Sequence, residues 1–150
     1  MATHSETRFV PYSADLMFQV VGEVEHYPEF LPWVTALRVL SRGQEGENEV
    51  VVAEMVVGYR NISERYTSRV MLDRKNRIID VAQSKGPFRH LDNHWRFTPR
   101  DNGCDVEFKI VFQFKNPILN LVVGQMLERV VLKMADAFVK RAKALSEHPA

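Results

Sequence analysis

The last fifth of the chain reads as one long helix, and this segment constrains the fold more than any other. Asn116 followed by Pro117 is a typical helix start, because asparagine caps free amides and proline needs no amide hydrogen at the first helical position. No further proline occurs before Pro149. The pattern therefore predicts a helix of roughly 29 residues that ends near Leu145 and is about 43 Å long at 1.5 Å per residue.

The two halves of this predicted helix differ in how apolar they are. The second half is amphipathic and carries Met134, Phe138, Ala142 and Leu145 on one face. The first half is apolar around most of its circumference, through Ile118, Leu119, Leu121, Val122, Val123, Met126, Leu127, Val130 and Val131. A surface helix needs only one apolar stripe, so we expect the first half to be enclosed or to face something apolar besides its own sheet. This surplus is the first indication of a hydrophobic ligand.

The composition is ordinary for one globular domain spanning residues 1–150, with 45% hydrophobic and 26% charged residues. A formal net charge of +1 gives no reason to expect nucleic acid as the main partner. The single cysteine, Cys104, excludes an internal disulfide and suits a reducing compartment. No stretch reaches the roughly 18 apolar residues of a membrane span, and the N-terminus shows no signal or transit pattern. We predict an unprocessed cytoplasmic protein whose only membrane contact is peripheral, at the inner membrane.

Residues 3–114 read as a series of short β runs separated by turns. A first strand, 3–10, precedes a short helix capped by Ser13, and the prolines of segment 26–34 permit at most one or two helical turns. Further β runs are predicted at 36–40, 50–57, 62–73, 78–84, 91–98 and 104–114.

The last β run shows the clearest alternation. Its apolar face carries Val106, Phe108, Ile110, Phe112 and Phe114, and its other face is polar. Strands with one solvent-exposed face are typical of an antiparallel meander whose apolar face must pack against another element. The long helix is the element available for this packing. The order predicts an α+β fold in which a curved sheet wraps one helix. A cavity is expected where the straight helix diverges from the curved sheet.

Gly124 lies in the middle of the long helix, where glycine is unfavourable. It either admits the close approach of another group or packs against a bulky strand residue.

Two segments carry a resemblance to a known family. One is YPEFLPWV, residues 27–34, and the other is GPFRHL, residues 86–91, which is followed by WRF at 95–97. Together with ERYTSRV at 64–70 and the long terminal helix, they resemble the coenzyme Q-binding branch of the START-like superfamily, which is related to polyketide cyclases and dehydrases. The resemblance implies a helix-grip fold: six to seven antiparallel strands wrapped around the C-terminal helix, with short helices after the first strand.

The resemblance also implies a function. It is the binding and delivery of a polyprenyl quinone such as ubiquinone, or a similar lipid, in support of respiration, with no catalytic chemistry and no cofactor. Bacterial members of the same branch are described as toxins that block ribosomal subunit association, so the large ribosomal subunit is the alternative partner. The chain has no mitochondrial presequence, which points to a bacterial-type protein. The sequence leaves the oligomeric state open.

The aromatic and proline-rich segment supplies the first candidate ligand-binding residues, namely Tyr27, Phe30, Leu31 and Trp33. They form either a lid that closes over an isoprenoid tail or a staple that packs a helical turn onto the sheet.

The β runs and the long helix supply the remaining candidates. Leu91, Asn93 and Trp95 share one face of their run, and Pro87 and Phe88 precede it as rim residues. The candidate set is completed by Tyr66, Phe108, Phe112, Val123, Met126 and Val130. Each of these residues is also compatible with simple core filling, which is the more common role of such side chains. Tyr27, Tyr66 or Asn93 would supply donors to a quinone head.

An enzymatic alternative requires acid–base groups inside the cavity, as in START-like cyclases and dehydratases. Glu54, Tyr66 and Asn93 are the candidates. Glu54 faces inward if Val50 and Val52 do, and outward in the opposite register. A buried carboxylate would have a raised pKa and could act as a base. No nucleophile triad or phosphate loop accompanies these residues, and we predict a protein that is not an enzyme.

No metal site is predicted. His90 and His94 lie four residues apart on a strand, which separates their side chains by about 13 Å. His4, His26 and His148 show no ligand spacing either.

A modest basic group on the long helix comprises Lys133, Lys140, Arg141 and Lys143. These side chains could contact anionic lipid headgroups or ribosomal RNA, or could simply form a solvated face.

Overall fold

A computed structural model describes residues 2–59 and 61–147 and has the predicted α+β helix-grip architecture. Its seven strands form one antiparallel sheet in the order β1-β7-β6-β5-β4-β3-β2. The strands are β1 (Ala2–Val10), β2 (Val34–Glu45), β3 (Asn48–Tyr59), β4 (Ile62–Asp73), β5 (Ile78–Lys85), β6 (Phe88–Arg100) and β7 (Gly103–Phe114). The helices are α1 (Ala14–Gly22), α2 (Tyr27–Phe30) and α3 (Pro117–Glu147), with a 3-10 turn at Val24–His26.

The starts of α1 and α3 follow from local capping. The Ser13 side chain accepts a hydrogen bond from the Leu16 amide at 3.1 Å and so starts α1. Asn116 Oδ1 accepts the amide of Ile118 at 2.8 Å and starts α3 as predicted. One turn later, Asn120 Oδ1 accepts the Phe114 amide at 3.0 Å, which ties the start of α3 to the end of β7.

The core lies between the inner face of the sheet and three helical elements. In β7 the predicted inward face is confirmed, since Val106, Phe108, Phe112 and Phe114 are buried. In β3 the inward residues are Val51, Ala53 and Met55. The second half of α3 and the whole of α1 cover these side chains, as expected for a sheet with one dry face.

The first half of α3 is much less covered. Ile118 and Leu121 expose 74% and 65% of their surface, whereas Phe138 in the second half exposes 2%. A methyl group added at Gly124 would meet nothing within 4 Å, so neither close approach nor packing against a strand explains this glycine. The first half therefore stands off the sheet and leaves space beneath it.

Strand β2 is longer than the predicted run 36–40. Its register shifts between Val34 and Ala36 and again between Val39 and Ser41. Such bulges break the alternation of apolar and polar residues. The end of β2 is also polar and exposed, so it has no apolar pattern that could have indicated a strand.

Candidate functional site: a two-chambered apolar cavity

An inner chamber of about 150 Å³ lies between the sheet, the segment around α2 and the second half of α3. It is lined by Val24, Tyr27, Leu31, Trp33, Val34, Met55, Val57, Tyr66, Ser68, Val70, Val81, Leu91, Asn93, Trp95, Phe108, Ile110, Met134 and Phe138. This lining contains no Asp, Glu, Lys or Arg among the described residues. The inner chamber can therefore bind a neutral ligand without leaving a charged side chain buried and unpaired.

An outer chamber of about 200 Å³ lies beneath the first half of α3. Its lining is Trp33, Val57, Gly58, Ile62, Glu64, Phe88, Phe114, Val123, Met126 and Val130. The two chambers share Trp33 and Val57, so they adjoin at these side chains. Glu64 is the only acidic or basic residue in this part of the described lining. The helix residues Val123, Met126 and Val130 form the roof.

Four side chains with hydroxyl or amide groups line the inner chamber, and two of them already have oxygen or nitrogen partners within the protein. The hydroxyl of Tyr27 donates to the carbonyl oxygen of Val21. Asn93 accepts a hydrogen bond from Trp95 Nε1 at 2.8 Å and donates one to the Lys109 carbonyl at 3.0 Å. These bonds hold the chamber wall together.

The other two polar side chains are Tyr66 and Ser68 on β4. The Tyr66 hydroxyl donates to the sulfur of Met55 at 3.3 Å. Burial raises the pKa of Tyr66 to about 12, so its hydroxyl stays protonated at physiological pH. Tyr66 is also closely packed from behind: a methyl group at Gly86, where φ is +154°, would lie 2.5 Å from Tyr66 Cβ. A side chain at position 86 would displace the ring, which explains the glycine.

The α2 segment closes one side of the inner chamber and is fastened to α3. Glu29 accepts a hydrogen bond from Arg141 at 3.0 Å and pairs with His26 at 2.6 Å. The Arg141 guanidinium lies 5.2 Å from the centre of the Phe30 ring. Phe138 contacts this segment edge to face, since its ring is 5.5 Å from that of Tyr27. The predicted basic group on α3 is thus partly engaged, because Arg141 holds α2.

Most of the predicted ligand-binding residues line the chambers. Tyr27, Leu31, Trp33, Tyr66, Leu91, Trp95 and Phe108 line the inner chamber. Trp33, Phe88, Val123, Met126 and Val130 line the outer chamber. The aromatic and proline-rich segment therefore forms a cavity wall and packs against α3 at the same time.

Three predicted residues lie outside both chambers. Phe30 packs behind the wall, with its ring between Phe138 and Arg141. Pro87 lies in the turn before β6, where its carbonyl accepts the Lys115 amide at 2.9 Å. Phe112 is 2% exposed and fills the core beside Phe88.

Sequence reasoning missed several wall residues, including Val34, Val70, Val81, Met134 and Phe138 as ligand contacts. Each of the three valines has a polar neighbour on only one side, so alternation gave only a weak signal there. Alternation identifies the inward face of a strand, but it does not show where the helix leaves that face uncovered.

Glu54 does not face the cavity, so of the two registers that the sequence left open, the one with Met55 inward is observed. Inward-facing Val51, Ala53 and Met55 place Glu54 on the outer face. There it lies 3.6 Å from Arg38 and 3.8 Å from Arg65. Glu54 is therefore not available as an acid–base group inside the cavity.

The histidines and acidic residues of the described ranges form separate pairs rather than one metal centre. His90 lies 2.8 Å from Asp92, and His94 lies 2.5 Å from Asp80. One group, Glu23, Glu25 and His26, brings its potential ligand atoms within 4.8 Å of one another. His26 already contacts Glu23 and Glu29 through its two ring nitrogens. His148 lies outside the described residues.

No helix in the described ranges is both long and apolar enough to span a membrane.

Comparisons with known proteins agree with this geometry. Over 146 residues the chain is 34% identical to the ribosome association toxin RatA of Rickettsia prowazekii, covering 95% of this chain and 97% of that protein. It is 30% identical to the mitochondrial coenzyme Q-binding protein COQ10 homolog B of Xenopus laevis, covering 93% and 57% respectively. A START superfamily protein from Mycobacterium smegmatis, 18% identical, has the same fold, with a TM-score of 0.82 over 97% of this chain and 99% of that one.

The model of one family matches residues 10–139, which is most of the chain and includes both chambers. On this match and these relatives, the chain belongs to the family described as polyketide cyclase/dehydrase and lipid transport.

Proposed function

We propose that the cavity binds a long apolar molecule, with a polyprenyl quinone such as ubiquinone as the preferred ligand, and delivers it without catalysing a reaction. The observation that carries this proposal is the pair of adjoining apolar chambers, whose inner part has no charged side chain. Burial of an apolar tail contributes roughly 25 cal/mol per Å² and requires no polar partners along the tail. A relative whose name states coenzyme Q binding supports the choice of ligand.

Delivery requires contact with a membrane surface, and the first half of α3 suits such a contact. Ile118, Leu121 and Val122 expose apolar surface on the helix that roofs the outer chamber. Exposed aliphatic side chains on a surface helix favour insertion into the headgroup region of a bilayer. We place this peripheral contact at the cytoplasmic face of the inner membrane.

The lining of the chambers supports the proposed non-catalytic role. With Glu54 outside, the inner chamber offers Tyr66 and Asn93 but no carboxylate or histidine. Incubation with a polyketide cyclase substrate should give no turnover above the buffer rate. Turnover that disappears in a Tyr66→Phe variant would overturn the non-catalytic assignment.

The direct test of ligand binding is organic extraction of the purified protein followed by mass spectrometry and by titration with ubiquinone. We expect a recovered quinone or related lipid and saturable binding at a one-to-one ratio. A lipid-free extract together with the absence of saturable binding would contradict the proposal.

Ribosome association is the second candidate function, and the 34% identity to a protein named as a ribosome association toxin favours it. Sedimentation of cell extracts distinguishes the two candidates. Co-migration of the protein with the large ribosomal subunit, with fewer assembled ribosomes, would support it. A Met126→Trp variant fills the outer chamber; if it still reduces assembled ribosomes, the two functions use different parts of the molecule.

A further inference from the structure

The polar side chains of the inner chamber differ in what their hydrogen-bonding groups contact. Tyr27 and Asn93 already have oxygen or nitrogen partners within the protein. Tyr66 has only the thioether sulfur of Met55, which is a weak acceptor. Ser68 is 1% exposed and makes no side-chain hydrogen bond within the described residues. Two hydroxyl groups on one strand are therefore available to a ligand.

The position of these hydroxyls matters because the outer chamber offers nothing comparable. Apart from Glu64 and the indole N–H of Trp33, its described lining consists of apolar side chains and Gly58, and it contains no hydroxyl group. Ligand pockets commonly measure about 300–1,000 Å³, and the chambers measure about 150 and 200 Å³. A ligand with a long tail must therefore occupy both chambers. The hydroxyl donors that can bind a neutral polar end lie only in the described lining of the inner one.

Resting on the proposed function, we propose that the ligand binds with its polar end inward. A neutral hydrogen-bond acceptor of the ligand, such as a ring carbonyl, accepts hydrogen bonds from the hydroxyls of Tyr66 and Ser68. The apolar tail then passes between Trp33 and Val57 and leaves beneath the first half of α3. In this orientation the Tyr66 hydroxyl exchanges a weak sulfur acceptor for an oxygen acceptor, and no charged group is buried.

The depth of the polar end can be measured with the two tryptophans of the chain. Trp95 lines the inner chamber, and Trp33 lies where the chambers adjoin. A Trp33→Phe variant retains Trp95 as its only tryptophan. Titration with a ubiquinone that carries two isoprene units should quench Trp95 fluorescence saturably, because the quinone ring lies against it. Saturable binding with Trp95 unquenched would overturn the inward orientation.

The hydrogen bond itself is tested by comparing Tyr66→Phe with Tyr27→Phe, a matched control whose hydroxyl is already bound to Val21. Two probes compete against a fluorescent apolar dye: the short-tailed quinone and a saturated isoprenoid hydrocarbon of equal length. Tyr66→Phe should weaken quinone binding about tenfold and leave hydrocarbon binding unchanged, and Tyr27→Phe should leave the ratio of the two affinities unchanged. In infrared spectra, the carbonyl band of the bound quinone should lie lower in wild type than in Tyr66→Phe.

The outcomes separate this inference from the proposed function. If both probes bind saturably but Tyr66→Phe changes neither the affinity ratio nor the carbonyl band, the inward orientation is wrong and ligand binding stands. If neither probe binds saturably to the wild-type protein, both proposals are wrong.

Discussion

The two halves of α3 differ in sequence and in their contacts with the rest of the molecule: the more apolar first half is the less buried one. The second half buries Phe138 and Ala142 completely against the sheet and α1. The first half exposes Ile118 and Leu121 and roofs the outer chamber with Val123, Met126 and Val130. Apolar residues on one helix therefore contribute to stability at one end and to the cavity and an exposed surface at the other.

The largest expected effect is on stability, which should fall far more when a side chain is truncated in the second half of α3 than in the first. Phe138→Ala removes a buried ring and should lower the free energy of unfolding by about 3–5 kcal/mol. Leu121→Ala, in the exposed first half, should change it by less than about 0.5 kcal/mol. Urea unfolding followed by circular dichroism measures both values. Similar losses for the two variants would show that the first half packs as tightly as the second.

Ligand affinity, unlike stability, should depend on the first half of α3, where the helix roofs the outer chamber. Met126→Trp places a large ring in the outer chamber and should weaken ubiquinone binding at least tenfold, roughly 1.4 kcal/mol. Leu132→Trp is the matched control, because Leu132 lies on the same helix, is 43% exposed and lines neither chamber. Fluorescence titration of the folded variants measures the difference. Equal affinities for both variants would place the ligand away from the roof of the outer chamber.

Membrane contact should depend on the exposed side of the first half. A double Ile118→Ser, Leu121→Ser variant should bind vesicles of phosphatidylethanolamine and phosphatidylglycerol several-fold more weakly, because it removes exposed apolar surface. Leu132→Ser, further along α3, should bind nearly as well as wild type. Vesicle co-sedimentation measures both. An unchanged double variant would assign any membrane contact to another surface.

The smallest effect concerns the contact between α2 and the second half of α3. The hydrogen bond from Glu29 raises the pKa of His26 above its ordinary value of 6.5, despite partial desolvation. The bonds from His26 and Arg141 lower the pKa of Glu29 below its ordinary 4.5. The His26 contribution to stability is complete below about pH 6.5 and is lost as pH rises through the raised pKa. The Glu29 contribution is present above about pH 4.5 and is lost as pH falls through the lowered pKa.

Thermal unfolding at a series of pH values tests this pair. Wild type should lose a small increment of stability as pH rises above about 6.5, and His26→Gln should lack this step. Both groups are largely solvent-exposed, so the step should shrink in high salt. A step of equal size in His26→Gln would assign it to another group.

Local patterns predicted much of the fold from the sequence. The alternation in β7 and the Asn116-Pro117 start of α3 correctly identified the inward face and the helix boundary. Strand β2 was underestimated because two bulges interrupt its alternation. The side on which Glu54 lies was open, because β3 carries valines in both registers. Only the pairing of β3 with its neighbours and the position of α3 determine that side.

The sequence predicted which kinds of residue line the candidate site, but not which inward-facing residues border the cavity. Large aromatic residues marked the region: Trp33 stands in a proline-rich segment, Phe88 at the entry to a predicted strand, and Trp95 within that strand. Whether an inward side chain borders space or fills the core depends on where α3 departs from the sheet. That departure is a property of the whole packing arrangement, and Phe112 shows that an inward aromatic residue can lie outside the cavity.

The methionine methyl groups allow the central claim, that the chambers hold an apolar guest, to be tested most directly. Met55 and Met134 line the inner chamber and Met126 the outer one, whereas Met17 and Met71 line neither. In protein labelled with 13C at the methionine methyl groups, ubiquinone titration should shift the signals of Met55, Met126 and Met134 saturably and leave those of Met17 and Met71 in place. Five unmoved signals at saturating quinone, or equal shifts of all five, would contradict a ligand bound in the chambers.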